Sequence, residues 1–337
     1  MRFRRSAIAL LAVIALGVSG CNDSSASQSG DSADEKVSYL TSFNTFGREA
    51  YAYVALEKGY FKDAGLDVTI RPGSGTVDVL KLVAGGQADY GIGDFTATLI
   101  TLANQKLPVT TVGMIHQRSL AAIVALDGGR IKQPADLVGK QIGDQPGSTN
   151  QVMFPVYAKA VGIDADKVKF IPSAPPALPQ LLVSGKVDGI GQFVVGTPLI
   201  EKAANGRKAV VLSYGDKVPD LYGNAIITRT DLAKDHPDKV QKFTAALFKG
   251  LQYAIDHPEE AAQILKKHEP TQDVAVATAE LKLMAPYVKP EGFSGPLGAV
   301  DDARVDRIIK ALVESKAVPA GSITTAQVVD GALVPKG

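Results

Sequence analysis

Apolar and polar residues follow two different periods along the chain. From residue 37 to 230, short apolar or alternating runs, typical of β-strands, are followed by segments with helical spacing of apolar residues. Glycine or proline separates most of these segments. After residue 230 only the helical spacing continues, with one apolar face through Val240, Phe243 and Leu247. We therefore predict an α/β protein with mostly parallel sheets flanked by helices and a helical C-terminal tail.

Two stretches of this pattern resemble each other: LVAGGQADYGIGDF at 82–95 and LLVSGKVDGIGQF at 181–193. In each, a helix ends at a glycine (Gly85, Gly185), and a Gly-x-Gly strand, a polar residue and a phenylalanine follow. In open α/β sheets, ligands bind beyond the carboxyl ends of the strands. The repetition predicts two similar lobes facing each other across one cleft, unless this common pattern occurs twice by chance.

Composition excludes several classes of function. The 337 residues suffice for two α/β lobes, and the 36 Lys and Arg balance the 35 Asp and Glu, so we expect no nucleic-acid partner. The four histidines lack metal-ligand spacing, and we expect them, His116 included, to face solvent in turns. We expect neither a metal nor a cofactor, and no catalytic residues, since no Ser-His-Asp or Cys-His arrangement is apparent.

The N-terminus has the pattern of an export signal. Arginines at 2–5 precede an apolar run at 7–18 and a Val-Ser-Gly-Cys sequence. A cysteine at this point resembles the bacterial lipobox, which implies cleavage before Cys21 and a lipid on its sulfur. Residues 1–20 would then be a lipoprotein signal peptide and 21–36 a flexible tether to the extracytoplasmic face of the cell membrane. A signal peptide without lipidation and a chance cysteine is the alternative.

Residues 53–70, YVALEKGYFKDAGLDVTI, resemble the opening of a family of ABC-transporter solute-binding lipoproteins for sulfonates, taurine, nitrate and thiamine-pyrimidine precursors. Residues 73–88, 131–143 and 185–188 agree, and the resemblance covers 37–267. It implies a two-lobed periplasmic-binding-protein-like (type II) fold that closes on a small molecule for the permease and ATPase subunits of an ABC importer. We expect lobe one at 37–125 and 223–337, lobe two at 126–222, and a monomer.

The resemblance also places a ligand site in the loops that follow the strands of both lobes. In lobe two the helix that begins near residue 147 has free N–H groups suited to an anionic or carbonyl group. The predicted ligand-binding residues are Ser42, Asn44, Phe46, Ser74, Gly75, Asp94, Phe95, Thr96, Gly147, Ser148, Thr149, Gln192, Phe193 and Tyr222. Asp94 and Ser148 would serve equally well as helix caps, and Phe95 and Phe193 as core residues.

For the ligand, we favour a small heteroaromatic molecule of the thiamine-pyrimidine-precursor type, because residues 116–126 (HQRSLAAIVAL) resemble that branch of the family. An aliphatic sulfonate, taurine or nitrate is the alternative, with Arg48 or Arg118 as the candidate to hold the anion. A different class is the pyrimidine-precursor synthase of this fold family, which consumes its own histidine and uses a cysteine cluster with iron. Here Cys21 is the one cysteine, so we expect a receptor and not an enzyme.

Overall fold

The computed structural model describes residues 34–335, which form two five-stranded sheets flanked by helices. The strands are β1 (Glu35–Leu40), β2 (Leu66–Arg71), β3 (Tyr90–Asp94), β4 (Val109–Met114), β5 (Ala121–Leu126), β6 (Gln141–Asp144), β7 (Lys169–Pro172), β8 (Gly189–Phe193), β9 (Ala209–Ser213) and β10 (Asn224–Arg229). The α-helices are α1 (Ala50–Glu57), α2 (Tyr60–Asp63), α3 (Thr76–Ala84), α4 (Phe95–Gln105), α5 (Thr149–Ala160), α6 (Leu178–Val183), α7 (Thr197–Ala203), α8 (Thr230–Asp235), α9 (Pro237–Asp256), α10 (Pro258–His268), α11 (Val274–Val288), α12 (Asp302–Glu314) and α13 (Thr325–Val328).

Both sheets are mixed but mostly parallel, as predicted, because a single strand in each runs against the other four. The strand orders are β2-β1-β3-β10-β4 in sheet one and β7-β6-β8-β5-β9 in sheet two. In sheet one β10 runs antiparallel to both of its neighbours, and in sheet two β5 does the same. These two strands enter directly from the other lobe, whereas parallel neighbours are joined through a helix within one lobe.

The chain passes between the sheets twice, first between Met114 and Ala121 and again between Ser213 and Asn224. Strand β5 therefore belongs to lobe two, and the predicted first boundary at residues 125/126 was wrong. Strands β4 and β5 are both fully buried, so their composition does not reveal that they lie in different sheets.

At the N-terminus, Glu35 and Lys36 already pair with β2, so they belong to lobe one and not to the predicted tether. The predicted signal peptide, Cys21 and residues 21–33 of the tether lie outside the described residues. None of the helices between residues 34 and 335 is long and apolar enough to cross a membrane.

The helical C-terminal region packs on lobe one through large buried side chains. Phe243 of α9 stacks on Tyr90 of β3 with ring centroids 3.9 Å apart and on Phe61 at 5.5 Å. Helix α9 also lies so close to α1 that a Cβ on Gly250 would be 2.3 Å from the carbonyl oxygen of Tyr51. Burying one such aromatic side chain stabilises the fold by about 2 to 3 kcal/mol, which fixes the C-terminal region against β1 and β3.

Candidate functional site

The carboxyl ends of strands from both lobes meet around one narrow cavity, whose volume of about 10 Å³ has room for no more than about one water molecule. Lobe one contributes Ser42, Phe43, Gly75 and Thr76, and lobe two contributes Ser148, Thr149, Asn150, Gln192 and Phe193. Six of these nine were predicted from the sequence; Phe43, Thr76 and Asn150 were not. A larger surface groove beside Thr110 and Asp330 is formed by lobe one alone and is open to solvent. The interlobe cavity is therefore the candidate site.

The two lobes touch across this cavity. The hydroxyl oxygens of Thr76 and Thr149 are 2.9 Å apart, and the side-chain amide of Gln145 donates to the carbonyl oxygen of Ser74. Gly147 lies against Val77, since a Cβ at this glycine would be 3.5 Å from the Cβ of Val77. Ser74 and Gly147, both predicted, thus lie at the rim. A molecule larger than a few atoms can enter only when the lobes separate.

In lobe two the start of α5 is held by a buried carboxyl group. Ser148 caps the helix by accepting from the N–H of Gln151, and its hydroxyl donates to Oδ2 of Asp144 at 2.5 Å. Asp144 lies flat against β8, where a Cβ on Gly191 would be 2.1 Å from Oδ2. Burial raises the pKa of Asp144 to about 7. The second Gly-x-Gly strand therefore has glycine because a carboxyl group occupies the space of its side chain.

In lobe one, Asp94 is the last residue of β3 and the N-cap of α4. Its Oδ1 accepts from the N–H of Ala97, which caps α4, but its Oδ2 has no hydrogen-bond partner within residues 34–335. The side chain is 1% exposed, and burial raises its pKa to about 7. The N–H of Asp94 donates to the hydroxyl of Thr76, which lines the cavity. Asp94 is thus a helix cap that keeps one carboxylate oxygen free; the hydroxyl of the buried Thr96 likewise lacks a partner in the described part.

Beneath the cavity lies Arg48, which is 1% exposed. Its guanidinium donates to the carbonyl oxygen of Phe43 at 3.0 Å, and its Nε is 3.4 Å from Oε1 of Glu49. The guanidinium carbon is 4.7 Å from the ring centroids of both Phe46, in lobe one, and Phe193, in lobe two. The one buried arginine of the described chain is therefore already engaged by a carboxylate, a carbonyl and two aromatic rings.

Carboxyl groups outnumber cations around the cleft. Of the described residues, those that are both buried and charged by type, apart from His116, are Arg48, Glu49, Asp94, Asp144 and Glu280. Glu280 of α11 lies under the loop before α1: a Cβ on Gly47 would be 2.8 Å from its Oε2. Burial raises the pKa of Glu280 to about 7 although Arg48 opposes the shift, and burial raises that of Glu49 as well. None of these five side chains lines the cavity itself; Glu49 and Asp144 contact its lining through the hydroxyls of Ser42 and Ser148.

Several predicted residues lie elsewhere. Phe95 is fully buried in the core with its ring edge-on to Tyr222 at 5.7 Å, and Tyr222 lies in the second crossing, where its hydroxyl accepts from the N–H of Asp301. Neither lines the cavity. Asn44 has a left-handed backbone (φ 56°) and shapes the turn, donating its N–H to the carbonyl oxygen of Gly73.

The prediction that His116 faces solvent was wrong. His116 is 1% exposed in the first crossing, where its Nδ1 accepts from the N–H of Asn224. Burial lowers its pKa to about 3, so the imidazole is neutral at physiological pH. Glu280 was missed as well, because nothing in the sequence around it marks this one charged side chain of the C-terminal helices as buried. Within the described chain no three His, Cys, Asp or Glu side chains are grouped in a way that could hold a metal ion.

Comparison with known proteins assigns the family. A family model described as NMT1/THI5 like matches residues 48–261. The chain belongs to this family. The formylaminopyrimidine-binding protein of Halalkalibacterium halodurans is 26% identical over 312 residues, which cover 90% of this chain and 91% of that protein. The 4-amino-5-hydroxymethyl-2-methylpyrimidine phosphate synthase of Candida albicans is 27% identical over 264 residues, covering 75% and 77%.

Solved structures identify the fold of this NMT1/THI5-like protein. The alkanesulfonate-binding protein SsuA from Xanthomonas axonopodis pv. citri, bound to MOPS, superposes with a TM-score of 0.70 at 16% identity, covering 88% of this chain and 98% of that one. The periplasmic-binding-protein fold predicted from the sequence is confirmed, including its helical C-terminal region. The predicted resemblance to the solute-binding proteins of ABC importers is confirmed as well.

Proposed function

We propose that this protein is the solute-binding component of an ABC importer and captures a small heteroaromatic metabolite, of the thiamine-pyrimidine-precursor type, in the interlobe cavity. The observation that carries the proposal is Asp94, a buried carboxyl group whose Oδ2 has no hydrogen-bond partner within residues 34–335 and whose N–H donates to Thr76 of the cavity lining. An aminopyrimidine has amino N–H donors for such acceptors and ring nitrogens that accept from hydroxyls. The relative named formylaminopyrimidine-binding protein, matched over nine-tenths of the chain, supports the same class.

Once the lobes have separated, the lining of the cavity supplies apolar and polar groups suited to a flat ring with polar edges. Phe43 and Phe193 offer apolar faces from opposite lobes, and a ring between the lobes would bury its own faces against them. The hydroxyls of Thr76 and Thr149, which meet across the cleft, are free to turn toward ring nitrogens once the lobes separate. The N–H groups at the start of α5 supply further donors in lobe two. Ligand contacts from both lobes would couple binding to closure.

An aliphatic sulfonate is the second candidate, favoured by one specific observation: Arg48 lies directly under the cavity between the two lobes. A sulfonate would have to draw Arg48 from Glu49 and leave that carboxylate buried without its cation. Such an unpaired buried charge costs about 3 to 5 kcal/mol, which is why we rank this candidate second.

Binding measurements on two arginine variants separate the candidates. Calorimetry and thermal shift with aminopyrimidines, taurine, MOPS and nitrate are expected to give 1:1 binding of an aminopyrimidine only. An Arg48→Gln variant that still folds is expected to keep that binding, as is the control Arg118→Gln, whose side chain is half exposed and pairs with Asp216. Binding of sulfonates alone, abolished by Arg48→Gln and retained by Arg118→Gln, would reverse the ranking.

Asp94 gives a complementary test on the lobe-one side of the cleft. Asp94→Asn keeps the cap on Ala97 but replaces one acceptor oxygen by a donor amide. We expect the affinity for an aminopyrimidine to fall about 10- to 100-fold, as for loss of a charge-assisted hydrogen bond. The control Asp164→Asn alters an exposed cap in lobe two, at the short turn Ala165–Lys167 outside the cleft, and is expected to leave affinity unchanged. Equal affinities of wild type and Asp94→Asn would remove Asp94 from the site.

We further propose that the protein acts as a monomeric receptor without turnover, anchored through a lipid on Cys21 to the extracytoplasmic face of the membrane. The sequence contains no second cysteine from which a cysteine cluster like that expected of the synthases could form. NMR spectra of a bound aminopyrimidine are expected to stay unchanged after long incubation, and metabolic labelling with palmitate is expected to mark wild type but not Cys21→Ser. Ligand conversion, or equal labelling of both chains, would contradict these points.

A further inference from the structure

The two segments that join the lobes, residues 115–120 and 214–223, lie side by side; we call them the crossovers. The N–H of Ser119 donates to the carbonyl oxygen of Leu221 at 3.0 Å, and the N–H of Gly223 donates to that of His116 at 3.1 Å. Because the chain passes between the sheets only here, separation of the lobes must bend both crossovers.

One side chain from the C-terminal helices binds both crossovers at once. The Nε of Arg304, in α12, donates to the carbonyl oxygen of Asp220 at 2.7 Å. A terminal nitrogen of the same guanidinium donates to Gln117 at 2.7 Å and to Leu221 at 3.2 Å, both carbonyl oxygens. The guanidinium carbon also lies 3.7 Å from the ring centroid of Tyr222. The planar guanidinium of Arg304 therefore binds three crossover carbonyl oxygens and contacts one aromatic ring at the same time.

The residues before Arg304 strengthen this attachment. The N–H of Gln117 donates to the carbonyl oxygen of Tyr287 at 2.7 Å, and its side-chain amide donates to that of Ala299 at 2.9 Å. The N–H of Asp301 donates to the hydroxyl of Tyr222 at 3.0 Å. All of these partners follow residue 261, where the match to the family model ends. The C-terminal region thus fastens the crossovers through contacts that the family match does not cover.

We propose that Arg304 is a positioning residue for ligand capture: by clamping both crossovers in the arrangement in which the lobes touch, it sets how readily the lobes separate and how long a ligand is held. Arg304 contacts neither the cavity nor its lining residues, so it acts only through the crossovers. The proposal goes beyond the proposed function and does not depend on which molecule is bound.

Three variants test the clamp. Arg304→Met keeps the aliphatic stem but removes all donors, and Arg304→Lys keeps the charge but can reach fewer carbonyls. Arg307→Met is the matched control: Arg307 lies one turn further along α12, and its guanidinium binds only the side-chain carboxylate of Asp220 in the second crossover, at 3.0 Å, so it does not join the two crossovers. A cationic residue next to the crossovers is thus removed while the clamp stays in place.

The readout is the distance between the lobes in the full chain without added ligand, measured by pulsed EPR. Spin labels at Lys81→Cys in α3 and Ser184→Cys after α6, both exposed, report on lobe one and lobe two; Cys21→Ser removes the remaining thiol. We expect Arg304→Met to add a population at longer distances, Arg304→Lys to restore part of the short-distance population, and Arg307→Met to match wild type. Identical distributions in all four proteins would overturn the proposal, even if Arg304→Met melted at a lower temperature.

Ligand kinetics give a second readout once a ligand is in hand. Loss of the three charge-assisted hydrogen bonds to the crossovers predicts dissociation at least about tenfold faster for Arg304→Met, with association changed less than threefold. Unchanged dissociation in a variant with a widened distance distribution would contradict the claim that the clamp sets the lifetime of the complex. Failure to find any ligand would contradict the proposed function and would leave the EPR result standing.

Discussion

Replacing the buried Asp144 with asparagine should stabilise the protein near neutral and alkaline pH. Asp144 is 2% exposed and has two hydrogen-bond donors, the hydroxyl of Ser148 and the N–H of Gln145. These do not offset its lost hydration, and burial raises its pKa from an ordinary 3.8 to about 7. Asparagine has the same shape and keeps both partners, because the Ser148 oxygen can accept from the new amide.

Proton linkage gives the sign and the size of this effect. Between pH 3.8 and about 7 the folded chain keeps a proton on Asp144 that the unfolded chain has released, so stability falls as the pH rises through this window and then stays level. One proton changes the free energy of unfolding by about 1.4 kcal/mol per pH unit, or up to about 4 kcal/mol over the whole window. Residual polarity around the cleft reduces this amount, so we expect Asp144→Asn to gain about 1 to 4 kcal/mol near pH 8 and almost nothing near pH 4.

Urea unfolding of both proteins at a series of pH values measures this gain. Because each comparison is made at one pH, the other titrating groups, including His116, cancel. Asp136→Asn is the control of opposite sign: the N–H of Lys132 lowers the pKa of Asp136, so removing this carboxylate should destabilise the protein at neutral pH and have less effect in acid. If Asp144→Asn were destabilising by the same amount at every pH, the assignment of Asp144 as a buried, proton-holding acid would be refuted.

Three further predictions concern the cleft and its closure. Gly191→Ala places a Cβ 2.1 Å from Oδ2 of Asp144 and should destabilise the fold by about 3 kcal/mol or more in urea, whereas Gly185→Ala, with φ +70° and open space, should cost about 1 kcal/mol. Thr76→Val and Thr149→Val should show a coupling of about 0.5 to 1.5 kcal/mol in a double-mutant cycle of unfolding; additive effects would mean that the hydroxyl pair contributes nothing. The half-exposed Lys202–Asp273 pair, which joins α7 to the start of α11, should contribute less than about 1 kcal/mol, and Lys202→Met should lose its effect in high salt; a salt-independent loss would contradict a screened ion pair.

Local sequence patterns predicted the parts of the site that depend on neighbours in the chain. Glycines with a left-handed backbone follow α3 and α6, at Gly86, one residue after the predicted Gly85, and at Gly185 as predicted, and the strand ends bring Gln192 and Phe193 to the cavity. The neighbouring sequence does not explain why residue 191 is a glycine, because the carboxyl group that fills its side-chain space comes from another strand. A proline in the interior of a helix ordinarily kinks or breaks it, yet α5 spans Thr149–Ala160 with Pro155 inside it at an exposed position.

What depends on distant partners was not predictable. Strand β5 pairs with β8 and β9, and this pairing, rather than the composition of β5, decides to which lobe it belongs. Glu280 and His116 are ionisable residues whose burial depends on distant partners: Glu280 is buried where α11 packs beside Arg48, and His116 where the two crossovers lie together. The spacing of apolar residues describes one helix or strand at a time. It therefore cannot identify a charged side chain that becomes buried against a distant part of the chain.

Native mass spectrometry of the full-length chain purified from its host tests the central claim most directly. The account predicts one small nitrogen heterocycle per chain, released intact on denaturation, and no bound mass on a Thr149→Trp variant, whose side chain would fill the interlobe cavity. A sulfonate in its place, or a heterocycle retained by the Thr149→Trp variant, would contradict the assignment of this cavity as the heterocycle-binding site.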